Sequence, residues 1–358
     1  MTEFDILGRR VGPGYPAFII AEAGVNHNGD PDLARRLVLG AKAAGADCVK
    51  FQTFKAERVV TAAAPKAAYQ LGTTDPAESQ LAMLRKLELP AVAYRELIAL
   101  AAAEGLAFFS TPYNEEDVDF LASLGIGAFK LASLSVVEPA FLRYVARQGK
   151  PMILSTGMAT LDEVVLAVET IRASGNEQIV VLQCTTNYPS RLADVNLRAM
   201  LTMRAACDVP VGYSDHTAGN TACVAAIALG ACVIEKHFTI DRTLPGPDHT
   251  TSCDPAEFAA LVRELRGAEL LLGSAEKSPC EIERTNAIGM RRSITARRAI
   301  AAGEVFTPDM LSFKRPSTGI SPARLDHLIG RIAQCDIPAD ALLTWEMCDR
   351  PLDPAPAR

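Results

Sequence analysis

Two histidines, His216 and His237, close two apolar, β-rich runs in a chain that has five histidines in all. The runs read VPVGYSDHT (Val209–Thr217) and ACVIEKHFT (Ala231–Thr239). One strand–helix–strand unit separates them. In a parallel α/β sheet both therefore reach the same carboxyl edge, where barrel enzymes place their chemistry. Neutral imidazole at such an edge is a natural ligand for a divalent metal. The plain alternative is a strand-capping His bonded to backbone. Two of them at neighbouring strand ends, each beside a carboxylate (Asp215, Glu235), favour a site.

Other strand ends carry more chemistry. Glu22 closes the first apolar run, and Lys50 and Gln52 the second. Ser110-Thr111-Pro112, Lys130 with Ser133, Ser155-Thr156-Gly157, Thr185-Thr186-Asn187-Tyr188 and Ser214 close the next five. Two lysines converging with several hydroxyls suit a ligand that carries phosphate and carboxylate. Lysine supplies point charge, while hydroxyls and backbone N–H groups supply directed donors. Alone, Lys50 reads as a snorkelling strand-end lysine; paired with Lys130 it favours ligand binding. Ser155-Thr156-Gly157 also fits a helix N-cap, and the two roles are compatible. Glu22 is either a buried, paired carboxylate or a general base.

These residues need a frame that brings strand ends together. The strand-like runs are Phe18–Glu22, Asp47–Gln52, Ala107–Thr111, Ala128–Leu131, Met152–Ser155, Ile179–Cys184, Val209–Tyr213 and Cys232–Glu235. Helical patterns span Pro31–Ala44, Pro90–Glu104, Glu115–Leu124, Pro139–Arg147, Leu161–Ala173, Leu197–Ala206, Asn220–Leu229 and Pro255–Arg266. Continuously apolar strands predict a parallel sheet covered on both faces. Eight βα units over about 250 residues fit a (β/α)8 TIM barrel. The alternative, a doubly wound open sheet, lacks a Gly-rich fingerprint after its first strand. The connection from about Lys55 to Pro90 exceeds an ordinary βα loop and reads as a lid or binding loop.

The chain of 358 residues is 49% hydrophobic and carries a net charge of −6 with both signs interspersed. That leaves no basic footprint for nucleic acid. Nine cysteines at irregular spacing, without C-x-x-C, suit reduced thiols. Residues 1–15 lack the apolar core of a signal peptide, and no run approaches the roughly 20 apolar residues of a membrane span. The expectation is a cytoplasmic protein with no membrane or nucleic-acid partner. A polar, irregular stretch over 269–289 reads as a linker. The tail from 290 to 358 has short strand and turn signals and a modest core of its own.

The sequence resembles the sialic acid synthase family, which condenses phosphoenolpyruvate with an N-acetylated amino sugar to give a nonulosonic acid. The resemblance rests on FIIAEAGVNHNGD (Phe18–Asp30), CVKFQTF (Cys48–Phe54), FFSTPYN (Phe108–Asn114), FKLAS (Phe129–Ser133) and ILSTGMAT (Ile153–Thr160). It continues through CTTNYP (Cys184–Pro189), GYSDHT (Gly212–Thr217), IEKHFT (Ile234–Thr239) and LPGPDH (Leu244–His249). The tail is similar to that family's antifreeze-like (SAF) domain through RRSI (Arg291–Ile294), AAGEVFTPDML (Ala301–Leu311) and KRPSTGI (Lys314–Ile320). The implied organisation is a barrel over 1–268, a linker over 269–289 and a SAF domain over 290–358. It also implies a homodimer in which each tail reaches the other chain's site.

The resemblance further implies roles. His216 and His237 would bind manganese or magnesium. Lys50, Thr111, Lys130, Ser133, Ser155, Thr186 and Ser214 would hold phosphoenolpyruvate. Glu22, Lys50, Lys130 and Glu235 form the expected catalytic set. Gln52, Tyr188, Asp248 and the tail's Arg315 would meet the sugar. The metal would act as a Lewis acid on the open-chain aldehyde. Carbon 3 of phosphoenolpyruvate attacks it, water adds at carbon 2, and phosphate leaves by C–O cleavage. The two lysines would stabilise negative charge in a water-poor pocket.

One stretch departs from the family pattern. Members usually carry a carboxylate shortly after the Lys-x-x-Ser of the fourth strand, where it meets sugar hydroxyls. Here the chain reads KLASLSVVEP, with Ser135 near that place and Glu138 beyond it. The lid segments KAAYQ (Lys66–Gln70) and ESQLAMLRKLEL (Glu78–Leu89) resemble bacterial members that act on 6-deoxy diacetamido sugars and make legionaminic acid. N-acetylmannosamine, the diacetamido-trideoxy-mannose and the pseudaminic precursor stay open as acceptors, with a lean to the second. A barrel synthase using a phosphorylated sugar would need cations at the acceptor end, where only Lys55 and Arg58 offer themselves. A non-catalytic carbohydrate-binding protein is the third reading; the charged tail and the presence of both histidines count against it.

Overall fold

The computed structural model describes residues 3–348. Residues 349–358 of the expected tail, and the side chains of residues 68 and 69 within KAAYQ, lie outside the described part. The chain divides into two units, one ending at Gly273 and the other beginning at Ser274.

The first unit opens with an antiparallel pair, β1 (Phe4–Ile6) and β2 (Arg9–Val11). Eight strands follow: β3 (Phe18–Gly24), β4 (Cys48–Thr53), β5 (Ala107–Pro112), β6 (Phe129–Leu131), β7 (Met152–Ser155), β8 (Ile179–Cys184), β9 (Val211–Asp215) and β10 (Val233–His237). Every ladder between them is parallel, in the order β5-β4-β3-β10-β9-β8-β7-β6. The two end strands, β5 and β6, lie side by side and close the ring. This is the expected (β/α)8 barrel.

Strand alternation sorts the side chains. Outward residues such as Ile19, Val49, Phe108, Leu154 and Ile234 pack against the helices. Inward residues Phe18, Ile20, Cys48, Phe109, Ile153, Val180, Leu182 and Val233 form a second core, closed from below by Phe4, Ile6 and Val11. Because the side-chain period is two, residues two further along a strand also face inward. Ile20 thus leads to Glu22, Cys48 to Lys50, Phe109 to Thr111, Ile153 to Ser155 and Val233 to Glu235. The barrel interior is apolar at one end and polar at the other.

Helices begin where the sequence supplies caps. Asp30 accepts from the Asp32 N–H ahead of Pro31–Ala43. Asp254 and Glu257 bond each other's backbone N–H groups ahead of Pro255–Leu272. Such caps satisfy donors that a helix start leaves orphaned, each contributing about 1 kcal/mol.

Three differences from the sequence reading bear on the site. β9 and β10 run two residues further than their apolar runs, because Asp215 and Lys236 stay in the ladder as partners. The lid holds three short helices, Ala56–Val59, Ala68–Thr73 and Gln80–Lys86. Within 269–289, the last barrel helix continues to Leu272, and Glu281–Met290 is helical.

The second unit pairs β11 (Ser293–Ala296) antiparallel with β12 (Leu311–Lys314). Its small core gathers Ile294, Phe306, Leu328, Ile337 and Leu343. No helix among the described residues is long and apolar enough to cross a membrane.

Candidate active site

The polar end of the barrel brings most of the sequence-predicted residues together. Lys50 Nζ lies 2.6 Å from Glu22 Oε2, 3.8 Å from Glu235 Oε2 and 3.1 Å from Thr111 Oγ1. Lys130 Nζ donates to Ser155 Oγ at 2.7 Å and stands 3.5 Å from Glu235 Oε1. Ser214 donates to that same Glu235 oxygen at 3.0 Å. Two ammonium groups and two carboxylates thus alternate inside a buried cluster. Isolated buried charges are costly, so each is held by opposite charge and hydrogen bonds.

The cluster sets its own protonation. Burial raises the Glu22 pKa to about 7, reinforced by Glu235 and opposed by Lys50 and Gln52. Burial also works against the charged form of Glu235, but Lys130, Lys50 and Ser214 outweigh it and leave its pKa lowered. The desolvation of Lys50 is overcome by Glu22 and Glu235, and its pKa is raised. The Lys130 pKa is lowered, chiefly by burial. Two carboxylates with divergent pKa values are the usual signature of separate acid/base and electrostatic roles.

A hydroxyl pocket adjoins the cluster. Gly157 N–H donates to Ser133 Oγ at 2.9 Å. A Cβ at Gly157 would stand 2.1 Å from Thr186 Oγ1 and 2.9 Å from Ser133 Oγ. Only glycine lets both hydroxyls come this close to the backbone at position 157. Such a cradle suits the oxygens of a phosphate.

His216 and His237 face each other with ring centroids 5.4 Å apart. Tyr188 covers both, at 4.1 Å from the His216 ring and 5.5 Å from the His237 ring. His216 Nδ1 is 2.7 Å from the Thr185 carbonyl, which fixes Nδ1 as the protonated nitrogen and leaves the Nε2 lone pair available. Buried His237 Nδ1 has no hydrogen-bond partner, the nearest carboxylate being Asp248 Oδ2 at 3.9 Å. Burial above all, with the nearby ammonium groups of Lys50, Lys236 and Lys130 adding to it, holds His237 neutral. An orphaned neutral imidazole beside a second one with a free lone pair fits a divalent metal. Among the described residues no cluster of three or more His, Cys, Asp or Glu side chains adds to the pair.

Beside the imidazoles lies a cavity of about 220 Å³. Its barrel wall carries Val25, Gln52, Tyr113, Tyr188, His237 and Asp248; its lid wall carries Val59, Gln70, Gln80, Met83 and Leu87. Asp248 is buried there, and desolvation raises its pKa to about 6. Neither Ser135 nor Glu138 lines this cavity. Ser135 is buried, and the Glu138 carboxyl bonds it instead. Lys55 is paired with Glu88, and Arg58 with Glu116 and Asp117, so neither lines the cavity. Arg315 belongs to the second unit, where it is exposed and precedes a cis bond to Pro316. Larger hollows of about 420 and 900 Å³ carry none of the strand-end residues of the site.

The sequence reading missed Tyr113 as a site residue. Its hydroxyl donates to Gln52 Oε1 at 3.0 Å, and Gln52 Nε2 in turn donates to Glu22 at 3.1 Å. The signal lay in FFSTPYN, two residues past the predicted strand end.

A parallel (β/α)8 barrel with this lysine–carboxylate cluster and imidazole pair at its carboxyl edge defines a barrel enzyme for an anionic substrate. The chain belongs to the NeuB family, whose model matches residues 37–277, and a SAF domain matches residues 291–348. It is 44% identical to an N,N'-diacetyllegionaminic acid synthase of Legionella pneumophila, over 94% of this chain and 95% of the relative. A Campylobacter jejuni protein of the same name is also 44% identical, over 91% of this chain and 98% of that one. Among solved structures, an N-acetylneuraminic acid synthetase from Leptospira borgpetersenii aligns with a TM-score of 0.71 at 32% identity, covering 80% of this chain and 95% of that one.

Proposed function

We propose that this chain is a nonulosonic acid synthase that condenses phosphoenolpyruvate with an N-acetylated mannosamine-type sugar and releases phosphate by C–O cleavage. The observation that carries the reading is the convergence of Lys50, Lys130, Glu22 and Glu235 beside the facing His216–His237 pair. Lys50 and Lys130, with the hydroxyls of Thr111, Ser133, Ser155, Thr186 and Ser214, hold the phosphate and carboxylate of phosphoenolpyruvate. The Gly157 cradle takes phosphate oxygens. Glu22, with a pKa near 7, can take a proton from the water that adds at carbon 2. Glu235 stays ionised between the two lysines and keeps both oriented. His216 and His237 would hold a divalent ion, manganese or magnesium, which when bound supplies Lewis acidity to the sugar aldehyde.

The cavity beside Asp248 supports the choice of acceptor. Its lining carries no Lys or Arg, which disfavours a phosphorylated sugar. Its apolar wall of Val25, Val59, Met83 and Leu87 suits methyl groups, and Gln52, Gln70 and Gln80 offer amide partners for acetamido groups. We read the acceptor as 2,4-diacetamido-2,4,6-trideoxymannose. The exposed Arg315 of the second unit is carried as a further acceptor contact, supplied within a homodimer. Arg315→Ala should raise the KM for the sugar and leave that for phosphoenolpyruvate alone.

The test is phosphate release from phosphoenolpyruvate with manganese, run in parallel with N-acetylmannosamine and the diacetamido sugar. Preference for the diacetamido sugar is expected. Turnover with N-acetylmannosamine alone would overturn the acceptor assignment but keep the class; silence with both and with the pseudaminic precursor would overturn the class.

A further inference from the structure

Two charged residues sit where the barrel has no ordinary use for charge. Alternation turns Ser214 and His216, and Glu235 and His237, toward the interior. It turns Asp215 and Lys236 outward, into a layer otherwise packed by residues such as Ile19, Val49, Phe108 and Ile234. Both are almost fully buried. They are ladder partners on β9 and β10, and their side chains form an ion pair.

The pair is closely bonded. Asp215 Oδ1 accepts from Tyr213 OH at 2.9 Å and from Thr217 N–H at 2.8 Å. The Cys223 thiol donates to Oδ2 at 3.1 Å. Lys236 also donates to the Thr217 carbonyl at 2.8 Å. His216 is therefore bracketed: the residue before it and the residue after it are both tied to the same network. His237 directly follows Lys236. A buried ion pair is a weak source of net stability, because desolvation offsets its attraction, and an apolar pair of similar volume often serves as well. What it supplies is register, since a one-residue slip of either strand would turn its inward set outward.

We propose that Asp215 and Lys236 are positioning residues for the imidazole pair, locking the ends of β9 and β10 so that His216 and His237 face each other at a spacing that binds one divalent ion. This rests on the reading of His216 and His237 as metal holders. It goes beyond that reading by assigning metal affinity to residues that touch neither substrate nor ion.

Lys236→Met is the discriminating variant. It removes a positive charge one residue from His237, so Coulomb's law alone would tighten cation binding. Loss of positioning does the opposite. Mn²⁺ affinity is measured on the full chain by EPR titration, with a thermal melt to confirm folding. The expected result is a dissociation constant raised about 10- to 100-fold in folded Lys236→Met, the range known for outer-shell partners of metal ligands. Unchanged or tighter Mn²⁺ binding in that variant overturns the inference and leaves the metal reading standing. Wild-type protein that takes up no Mn²⁺ overturns the metal reading, and this inference with it. If Lys236→Met does not fold, Asp215→Asn/Lys236→Met, with no charge left unpaired, and Tyr213→Phe, which deletes one donor to Asp215, take its place. Wild-type affinity in both overturns the inference; weakened affinity in either folded variant supports it.

Discussion

Lys50 Nζ and Glu22 Oε2 lie 2.6 Å apart with both side chains removed from water. The pairing leaves Lys50 charged and leaves Glu22 poised near neutrality, because burial and Glu235 push the carboxyl up while Lys50 and Gln52 pull it down. As a base, Glu22 works in its ionised form. The kcat/KM for phosphoenolpyruvate should therefore fall as pH drops through about 7. Glu22→Gln should lower kcat by about a hundred- to ten-thousand-fold, the usual worth of a positioned base, and remove that acidic limb. Phosphoenolpyruvate binding should persist, since Lys50 keeps its charge. An unchanged acidic limb in Glu22→Gln would exclude Glu22 as the titrating group.

Gly157→Ala isolates the phosphate cradle. The added methyl would collide with Thr186 Oγ1 and Ser133 Oγ, at 2.1 and 2.9 Å. Those hydroxyls must separate, and the convergent donors are lost. A rise of about tenfold in the KM for phosphoenolpyruvate is expected, the equivalent of about 1.4 kcal/mol of binding. The KM for the sugar should hold. Steady-state kinetics varying each substrate in turn separates the two; equal rises would mean general distortion of the barrel.

The barrel was legible because its signals are local. Apolar runs of strand length, capped helices and polar residues at run ends each follow from a few neighbouring residues. The inward direction of Glu22, Lys50, Lys130 and Ser155 also follows, since each sits two positions after an inward apolar residue. Asp215 and Lys236 were not legible as a pair. Each looks like the polar close of its strand, and only the β9–β10 ladder shows them facing each other in the outer layer. Tyr113 escaped for a similar reason: its bond to Gln52 crosses between strands. The lid's short helices lack the length at which periodicity becomes readable.

His237→Ala tests the metal reading without touching the charged cluster. His237 Nδ1 has no hydrogen-bond partner, so deleting the ring breaks no hydrogen bond at that nitrogen. A melting temperature within a few degrees of wild type is expected, along with loss of Mn²⁺ binding and a fall in turnover of at least about a hundredfold. Chelation of wild-type protein should give the same loss, reversed by added manganese. A folded His237→Ala protein with full turnover would remove His237 from the metal site.

His27 supplies a pH dependence of stability with a definite sign. It is fully buried, and its Nδ1 accepts from the Gly29 N–H at 3.0 Å, which places the proton on Nε2. A second proton would turn Nδ1 into a donor facing another donor. Burial, reinforced by His249 and opposed by Asp30, lowers its pKa to about 4. In the unfolded chain it titrates near 6.5. Between those values the unfolded state binds a proton that the folded state refuses. The contribution of His27 is therefore complete above about pH 6.5 and declines as pH falls toward 4, by at most about 3 kcal/mol. Glu22 works in the opposite direction over a similar range, since its raised pKa favours the folded state at low pH and that benefit is lost as pH rises through about 7. The wild-type curve alone mixes the two, and His27→Gln separates them. Urea midpoints should fall less steeply between pH 6.5 and 4 in His27→Gln than in wild type. Parallel curves would mean that His27 is protonated within the fold and that its environment tolerates the charge.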